Sequence, residues 1–71
     1  MDKKLRVIDR LRQHYPTEQW HYNARELQWE SNADAVVRKY ASMTIHDEGR
    51  PSYGLELYLR RPGKRFERID L

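Results

Sequence analysis

The sequence predicts an α+β fold in which two short helices pack on one face of a small antiparallel sheet. Two amphipathic helical patterns, one at the start of the chain and one near its middle, indicate the helices. Segments that alternate apolar and polar residues, separated by turn-forming residues, indicate the strands. The predicted order is α-ββ-α-βββ or a near variant, in a single domain over residues 1–71.

The first predicted helix covers residues 3–15. Its apolar side chains recur at helical spacing and form one arc, which consists of Val7, Ile8, Leu11 and Tyr15. Asp2 is placed to cap the start of this helix. Pro16 ends it, because the residue before a proline avoids the helical region.

Residues 17–31 fit either a helix or a hairpin, and we favour the hairpin because this segment is rich in aromatic residues. A four-residue loop at residues 23–26 would join its two strands. The cross-strand pairs in that register are Tyr22 with Leu27 and Trp20 with Trp29. These aromatic side chains are expected in the core, although Trp and Tyr also anchor many protein interfaces.

A second helix is predicted to begin at Ser31, because an acidic residue, Asp34, follows at the spacing of a helix cap. The residues that then match the helical period are Ala33, Val36, Val37, Tyr40 and Ala41. We predict that this helix ends near Ala41 and that a strand follows over residues 42–46. A continuous strand is the alternative, because other apolar residues alternate with polar ones: Val37, Ala41, Met43 and Ile45.

The end of the chain predicts a hairpin after a loop at residues 47–52. Residues 54–60 are the clearest strand, because leucine alternates there with polar residues. A tight turn follows, and we place Gly63 in the left-handed region of a three-residue loop. The pairs in that register are Leu57 with Ile69 and Leu55 with Leu71. We favour this register because it closes the apolar face.

Composition restricts the classes of function. The chain has no cysteine, which excludes a disulfide framework and a thiolate zinc site. A chain of 71 residues buries about 60% of the surface that its unfolded form exposes, so it has little room for a deep, water-excluded cavity. The charged N-terminus lacks the apolar stretch of a signal peptide, and no apolar run is long enough for a membrane span. We therefore expect a cytoplasmic protein without a membrane partner.

No motif in the sequence supports catalysis. His46, Asp47 and Glu48 have the side chains of acid–base chemistry and metal binding, but their spacing matches no metal motif. No serine or threonine lies in a nucleophile motif, and the three glycines form no phosphate-binding loop. We expect no enzyme activity, no metal and no cofactor.

The register of the last hairpin predicts a solvent-facing surface opposite the leucines. It places Tyr58 across from Arg68 and Arg60 across from Phe66. Aromatic rings and guanidinium groups on an open sheet suit the stacking of bases and the binding of phosphates in single-stranded nucleic acid. Ordinary arginine–aromatic pairing that shields a strand surface is the alternative.

Charge is unevenly distributed: the formal net charge is +3, both ends are basic, and residues 17–48 are acidic. One basic cluster lies in the turn at residues 60–65, and a second forms a stripe along the first helix. Each cluster suits a phosphate or an acidic protein surface, with an ordinary solvated surface as the alternative. The complete set of predicted binding residues is Tyr58, Arg60, Arg61, Lys64, Arg65, Phe66, Arg68, Lys3, Arg6 and Arg10.

The predicted function is therefore binding. The first hypothesis is a protein-binding effector, inhibitor or accessory factor that docks on a larger, nucleic-acid-handling protein. The second is direct nucleic-acid binding through the C-terminal hairpin and the helix stripe. We favour a protein partner, because the acidic middle repels a polyanion and a net charge of +3 attracts one weakly. A homodimer is a further alternative, because an exposed edge strand favours pairing.

Overall fold

The computed structural model describes residues 6–45 and 48–71. In this part of the chain, one helix precedes five strands: α1 (Val7–His14), β1 (Trp20–Asn23), β2 (Gln28–Ser31), β3 (Val36–Ile45), β4 (Pro51–Arg60) and β5 (Glu67–Ile69). The strands form one antiparallel sheet in the order β1-β2-β3-β4-β5, so each strand pairs with its neighbour in sequence. The coarse prediction of a helix on a small antiparallel sheet is confirmed.

The predicted second helix is wrong, because residues 33–41 contribute a turn and the first half of β3. Ser31, expected as a helix cap, instead holds the turn: its Oγ accepts hydrogen bonds from the amides of Ala33 (3.1 Å) and Ala35 (3.1 Å). Asp34 adopts a φ of 59°, which reverses the chain into β3. Pairing between strands overrides the helical period, because β3 pairs with β4 along its whole length.

The first helix is confirmed, and in the described residues it begins at Val7. Tyr15 leaves the helical region at a φ of −128°, as predicted for the residue before Pro16. The predicted cap Asp2 and residues 3–5 lie outside the described residues. α1 is therefore a helix of two turns, and its apolar arc faces the sheet as expected.

The hairpin of β1 and β2 is confirmed, but its register differs from the prediction. The observed pairs include Tyr22 with Trp29 and Trp20 with Ser31. The loop occupies residues 24–27 rather than 23–26, because Asn23 stays in β1 and its Oδ1 accepts hydrogen bonds from two loop amides, at 3.0 and 3.1 Å. Leu27 then closes the loop with a φ of 55°.

The last hairpin has the predicted register. The observed pairs are Leu57 with Ile69, Tyr58 with Arg68 and Leu59 with Glu67. Gly63 has a φ of 74°, the left-handed conformation that the predicted loop requires. β5 ends at Ile69, so the predicted pair of Leu55 with Leu71 lies beyond the last strand pair, and Leu55 is 67% exposed instead of buried.

The core lies between α1 and one face of the sheet, which we call the helix face. Its buried side chains are Leu11, Trp20, Ala35, Val37 and Leu57. Successive residues of a strand point to opposite faces, so the even-numbered residues of β3 and β4 lie on the other side of the sheet. We call that side, on which no helix of the described residues packs, the open face.

The far ends of β3 and β4 form a two-stranded extension of the sheet. We call it the distal ribbon and define it as residues 40–45 and 51–55. β2 pairs with β3 at Val36 and Val37, and β5 pairs with β4 at residues 57–59. Among the described residues, both outer edges of the distal ribbon therefore lack a partner strand.

Candidate functional site

The basic cluster in the turn at residues 60–65 was predicted to bind as one unit, but its side chains point to both faces of the sheet. Arg61 points to the helix side, where its Nη2 donates a hydrogen bond to Oε2 of Glu18 at 2.8 Å and its Nη1 bonds the second carboxylate oxygen. Its guanidinium lies 5.5 Å from the ring centre of Tyr15. Ser31 Oγ donates a further hydrogen bond to Glu18 at 3.0 Å. Arg61 is thus a structural tie between the segment after α1 and the end of β4.

The electrostatics of Glu18 agree with that structural role. The hydrogen bonds from Arg61 lower the pKa of the Glu18 carboxyl, and they outweigh the burial that would raise it. The hydrogen bond from Ser31 acts in the same direction as those from Arg61. The Glu18 carboxylate therefore stays ionised and paired at neutral pH, and Arg61 is not a free cation for a ligand.

Arg60 lies on the open face, as predicted, and contacts Phe66. Its Cζ lies 4.9 Å from the centre of the Phe66 ring. Arg38 contacts the same ring at 5.1 Å, a contact that the sequence analysis missed because it placed Arg38 in a helix. Two guanidinium groups already cover the ring, so a nucleic-acid base would have to displace one of them to stack there. This arrangement favours the interpretation as ordinary arginine–aromatic pairing.

Tyr58 and Arg68 meet on the open face around Glu56. The Tyr58 hydroxyl donates a hydrogen bond to Glu56 at 2.8 Å, and this bond raises the pKa of Tyr58. Arg68 lies 3.8 Å from Glu56 and 3.9 Å from Asp70, so it offsets the repulsion between two carboxylates that the register brings together. Tyr40 packs edge-on against Tyr58 with 5.4 Å between ring centres. These side chains line a shallow trough whose walls contain both acidic and basic groups.

The remaining predicted binding residues do not form one surface with this trough. Lys64 and Arg65 are exposed beside a cleft of about 290 Å³ that also includes Leu59 and Ile69. Arg10 lines a cleft that it shares with Arg68 and with the carboxylates Glu56 and Asp70. Arg6 forms an exposed ion pair with Asp9 at 3.5 Å, and Lys3 lies outside the described residues. Arg10 of the helix stripe therefore lines a different cleft from Lys64 and Arg65 of the basic turn.

The structure describes two of the three histidines, His14 and His21, and His21 lies beside a carboxylate. His21 contacts Glu30 at 3.3 Å. Hydrogen bonds from Gln28, and then those from Asn23 and His21, lower the pKa of Glu30. His46 and Asp47 lie outside the described residues, and within residues 6–45 and 48–71 no three metal-ligating side chains gather.

The distal ribbon is the surface that the sequence analysis missed. On its helix face it exposes Met43 (58%), Ile45 (67%) and Leu55 (67%), and Leu55 lines a cleft together with Arg10 of α1. Residues 40–45 and 51–55 contain no charged side chain, although charged residues make up 35% of the sequence. The absence of charge in these residues is visible in the sequence. By itself it predicts a buried core strand, because the sequence does not show that β2 and β5 are too short to flank this part of the sheet.

The edges of the sheet differ sharply in charge. The edge strand β5 contains Glu67 and Arg68, and Asp70 follows it; charged residues of this kind protect an edge strand from pairing with other chains. The distal ribbon has neither charge nor a covering element in the described chain. Its edges are therefore chemically suited to accept another strand.

Comparison with known proteins yields no match: no family model fits the sequence, and no curated protein or solved structure resembles it detectably. In the described residues, none of the helices is both long and apolar enough to cross a membrane.

Proposed function

We propose that this chain is a small, non-enzymatic interaction module that binds another protein chain through its distal ribbon. One observation carries the proposal: an uncharged two-stranded ribbon, whose edges meet no further strand within residues 6–45 and 48–71, exposes three large apolar side chains on one face. Large exposed apolar patches on soluble proteins mark contact sites for other molecules.

Energetics support a partner for this ribbon. A two-stranded hairpin without further partners is marginally stable in water. Complete burial of a Met, Ile or Leu side chain contributes about 1.5–3 kcal/mol. Met43, Ile45 and Leu55 are each more than half exposed, so most of this contribution is not realised in the isolated chain. A protein surface or strand that covers the ribbon would supply it.

The predicted basic residues have a secondary part in this proposal. Arg60, Lys64 and Arg65 form no ion pair among the described residues, and they lie at the end of β4 opposite the ribbon. Exposed charges of this kind mainly raise the rate of association with an acidic partner and add little affinity. The ribbon supplies affinity, and the basic end of the hairpin favours an acidic protein surface.

Affinity capture with paired variants tests the proposal. The tagged native chain, Ile45→Lys and Leu27→Lys are each incubated with extract of the source cell. Leu27 is the matched control, because it is 68% exposed in the first hairpin loop and Ile45 is 67% exposed in the ribbon. We expect a stoichiometric protein that the native chain and Leu27→Lys retain and Ile45→Lys loses. Equal recovery by all three chains would contradict the proposal.

A second candidate function is binding of single-stranded nucleic acid on the open face. The trough lined by Tyr40, Ala41, Glu56, Tyr58 and Phe66 favours it, because its rings lie near Arg38, Arg60 and Arg68. Such binding should weaken steeply as salt concentration rises and should weaken in Arg60→Ala. No shift with single-stranded DNA or RNA at low salt would exclude this candidate.

A further inference from the structure

We propose that the cleft on the helix face of the last hairpin binds an acidic peptide segment that contains one apolar anchor residue. We call this cleft the hairpin cleft. It has a volume of about 290 Å³, and the residues that line it are Leu59, Arg61, Lys64, Arg65, Glu67 and Ile69. None of these residues belongs to the distal ribbon. The hairpin cleft is therefore a second surface, beyond the one in the proposed function.

The floor of the hairpin cleft is apolar. Leu59 and Ile69 are half-buried, and both pack against the buried core. Sites for small ligands usually have volumes of about 300–1,000 Å³, and apolar walls supply most of their contact surface. At about 290 Å³ the hairpin cleft lies at the lower limit of this range. It therefore has room for one large apolar side chain and a short stretch of the backbone beside it.

One wall of the hairpin cleft is fixed before any ligand binds. Two hydrogen bonds to the Glu18 carboxylate hold the guanidinium of Arg61. The backbone amide of Lys64 donates a hydrogen bond to the Arg61 carbonyl at 2.9 Å, and Gly63 closes the same turn with a φ of 74°. A ligand therefore does not have to order this turn, and that lowers the entropic cost of binding.

The rim of the hairpin cleft favours a negatively charged ligand. Lys64 and Arg65 are exposed and form no ion pair among the described residues, whereas the charge of Arg61 is balanced by Glu18. Glu67 is the one carboxylate among the lining residues. Two free cations against one carboxylate leave a net positive charge, which attracts an acidic segment and orients it over the apolar floor.

The aliphatic floor favours a peptide over single-stranded nucleic acid. Proteins bind single strands by stacking the bases on aromatic rings, and no aromatic residue of the described chain lines the hairpin cleft. The aromatic residue of the same turn, Phe66, contacts Arg38 and Arg60 on the open face instead. A leucine or isoleucine flanked by acidic residues matches both the floor and the rim.

Nuclear magnetic resonance titration of the full chain tests the hairpin cleft with three acetylated and amidated peptides. The first peptide has one leucine between two pairs of glutamates. The second replaces its leucine with serine, and the third replaces its glutamates with glutamines. We expect the first peptide to bind with a dissociation constant of about 1 mM or lower and to shift the methyl signals of Leu59 and Ile69. The other two should bind at least about fivefold more weakly. Equal binding of the three peptides, or unshifted methyl signals, would overturn the proposal.

Charge-reversal variants test whether the two free cations act locally. Lys64→Glu and Arg65→Glu should each weaken binding of the first peptide at least about threefold. Arg25→Glu is the matched control, because Arg25 is exposed in the first hairpin loop and its reversal changes the net charge by the same amount. We expect the control to bind the peptide as the native chain does. Equal weakening by all three variants would show an effect of net charge alone and would overturn the site.

Two further measurements separate this proposal from the others. Single-stranded oligothymidylate should leave the methyl signals of Leu59 and Ile69 unshifted, and displacement of the peptide by this oligonucleotide would overturn the peptide assignment. Ile45→Lys should bind the first peptide as the native chain does. Peptide binding without ribbon-dependent capture would refute the proposed function alone, and ribbon-dependent capture without peptide binding would refute the hairpin cleft alone.

Discussion

The two ends of the β3–β4 hairpin share the same strand geometry but differ in the elements that cover and flank them and in the exposure of their apolar side chains. At the proximal end, α1 covers the helix face, β2 and β5 flank the strands, and the Arg61–Glu18 pair ties the end of β4 to the segment after the helix. At the distal end, the same two strands continue with no flanking strand from the part of the chain that the structure describes, and they expose apolar side chains. One hairpin thus combines part of the folding core with the apolar surface that we propose as a binding site for another protein.

The largest expected difference between the two ends is the cost of shortening a leucine. Leu11→Ala removes a fully buried side chain from the core, and such changes cost about 2–5 kcal/mol. Because small domains are marginally stable, most of the native population should be lost. Leu55→Ala makes the same chemical change in the ribbon and should cost about 0.5 kcal/mol or less. Urea unfolding at low protein concentration measures both. Similar costs would show that the ribbon belongs to the core.

The Glu18–Arg61 tie should give the next largest effect. Glu18→Gln replaces a carboxylate that accepts charge-assisted hydrogen bonds, and we expect a loss of about 1–3 kcal/mol at neutral pH. The same substitution should leave ribbon-dependent capture unchanged. Chemical unfolding and affinity capture measure the two properties.

The pH dependence of this tie follows from its lowered pKa. The folded-state pKa of Glu18 lies below the ordinary value of 4.5 for a glutamate, because Arg61 donates hydrogen bonds to its carboxylate. The stabilisation is therefore fully present above about pH 4.5 and is lost as the pH falls through the folded-state pKa. The native chain should lose stability over this acidic range, and Glu18→Gln should lose less. Identical acid profiles for the two chains would contradict the assignment.

Matched glycines give the smallest expected effect. Gly49 and Gly63 have φ values of 76° and 74°, and at neither would an added Cβ meet another atom within 4 Å. Alanine in this conformation costs about 1 kcal/mol. Gly63→Ala should lower global stability by this amount, because its turn adjoins the core. Gly49→Ala lies at the ribbon end and should have a smaller effect on global unfolding, because the ribbon can open locally. Equal losses in thermal unfolding would contradict the division of the hairpin.

Local signals allowed much of the fold to be predicted. Pro16 marked the end of the helix, and Gly63 fixed the register of the last hairpin, because each depends on backbone conformation within a few residues. The second helix was predicted wrongly because Val37 and Ala41 fit both the helical and the strand period. The deciding factor was β4, a distant partner whose length the local sequence does not reveal.

The candidate site was predictable only in part. Strand alternation correctly opposed Tyr58 to Arg68. The role of Arg61 was missed because its partner Glu18 lies 43 positions away. The distal ribbon was missed because Met43 and Ile45 are exposed by the shortness of the flanking strands, not by any property of their own neighbours in sequence.

Oxidation of Met43 tests most directly whether a protein covers the ribbon. Methionine oxidation depends on exposure, and Met43 is 58% exposed in the isolated chain. Leu27→Met adds a reference methionine at a position that is 68% exposed outside the ribbon. The rates of oxidation by peroxide at the two sites are compared, by mass spectrometry, in the dilute purified chain and in source-cell extract. We expect Met43 to be protected in the extract while the reference site is unchanged. Equal rates at Met43 in both conditions would contradict the assignment of the ribbon as a protein-binding surface.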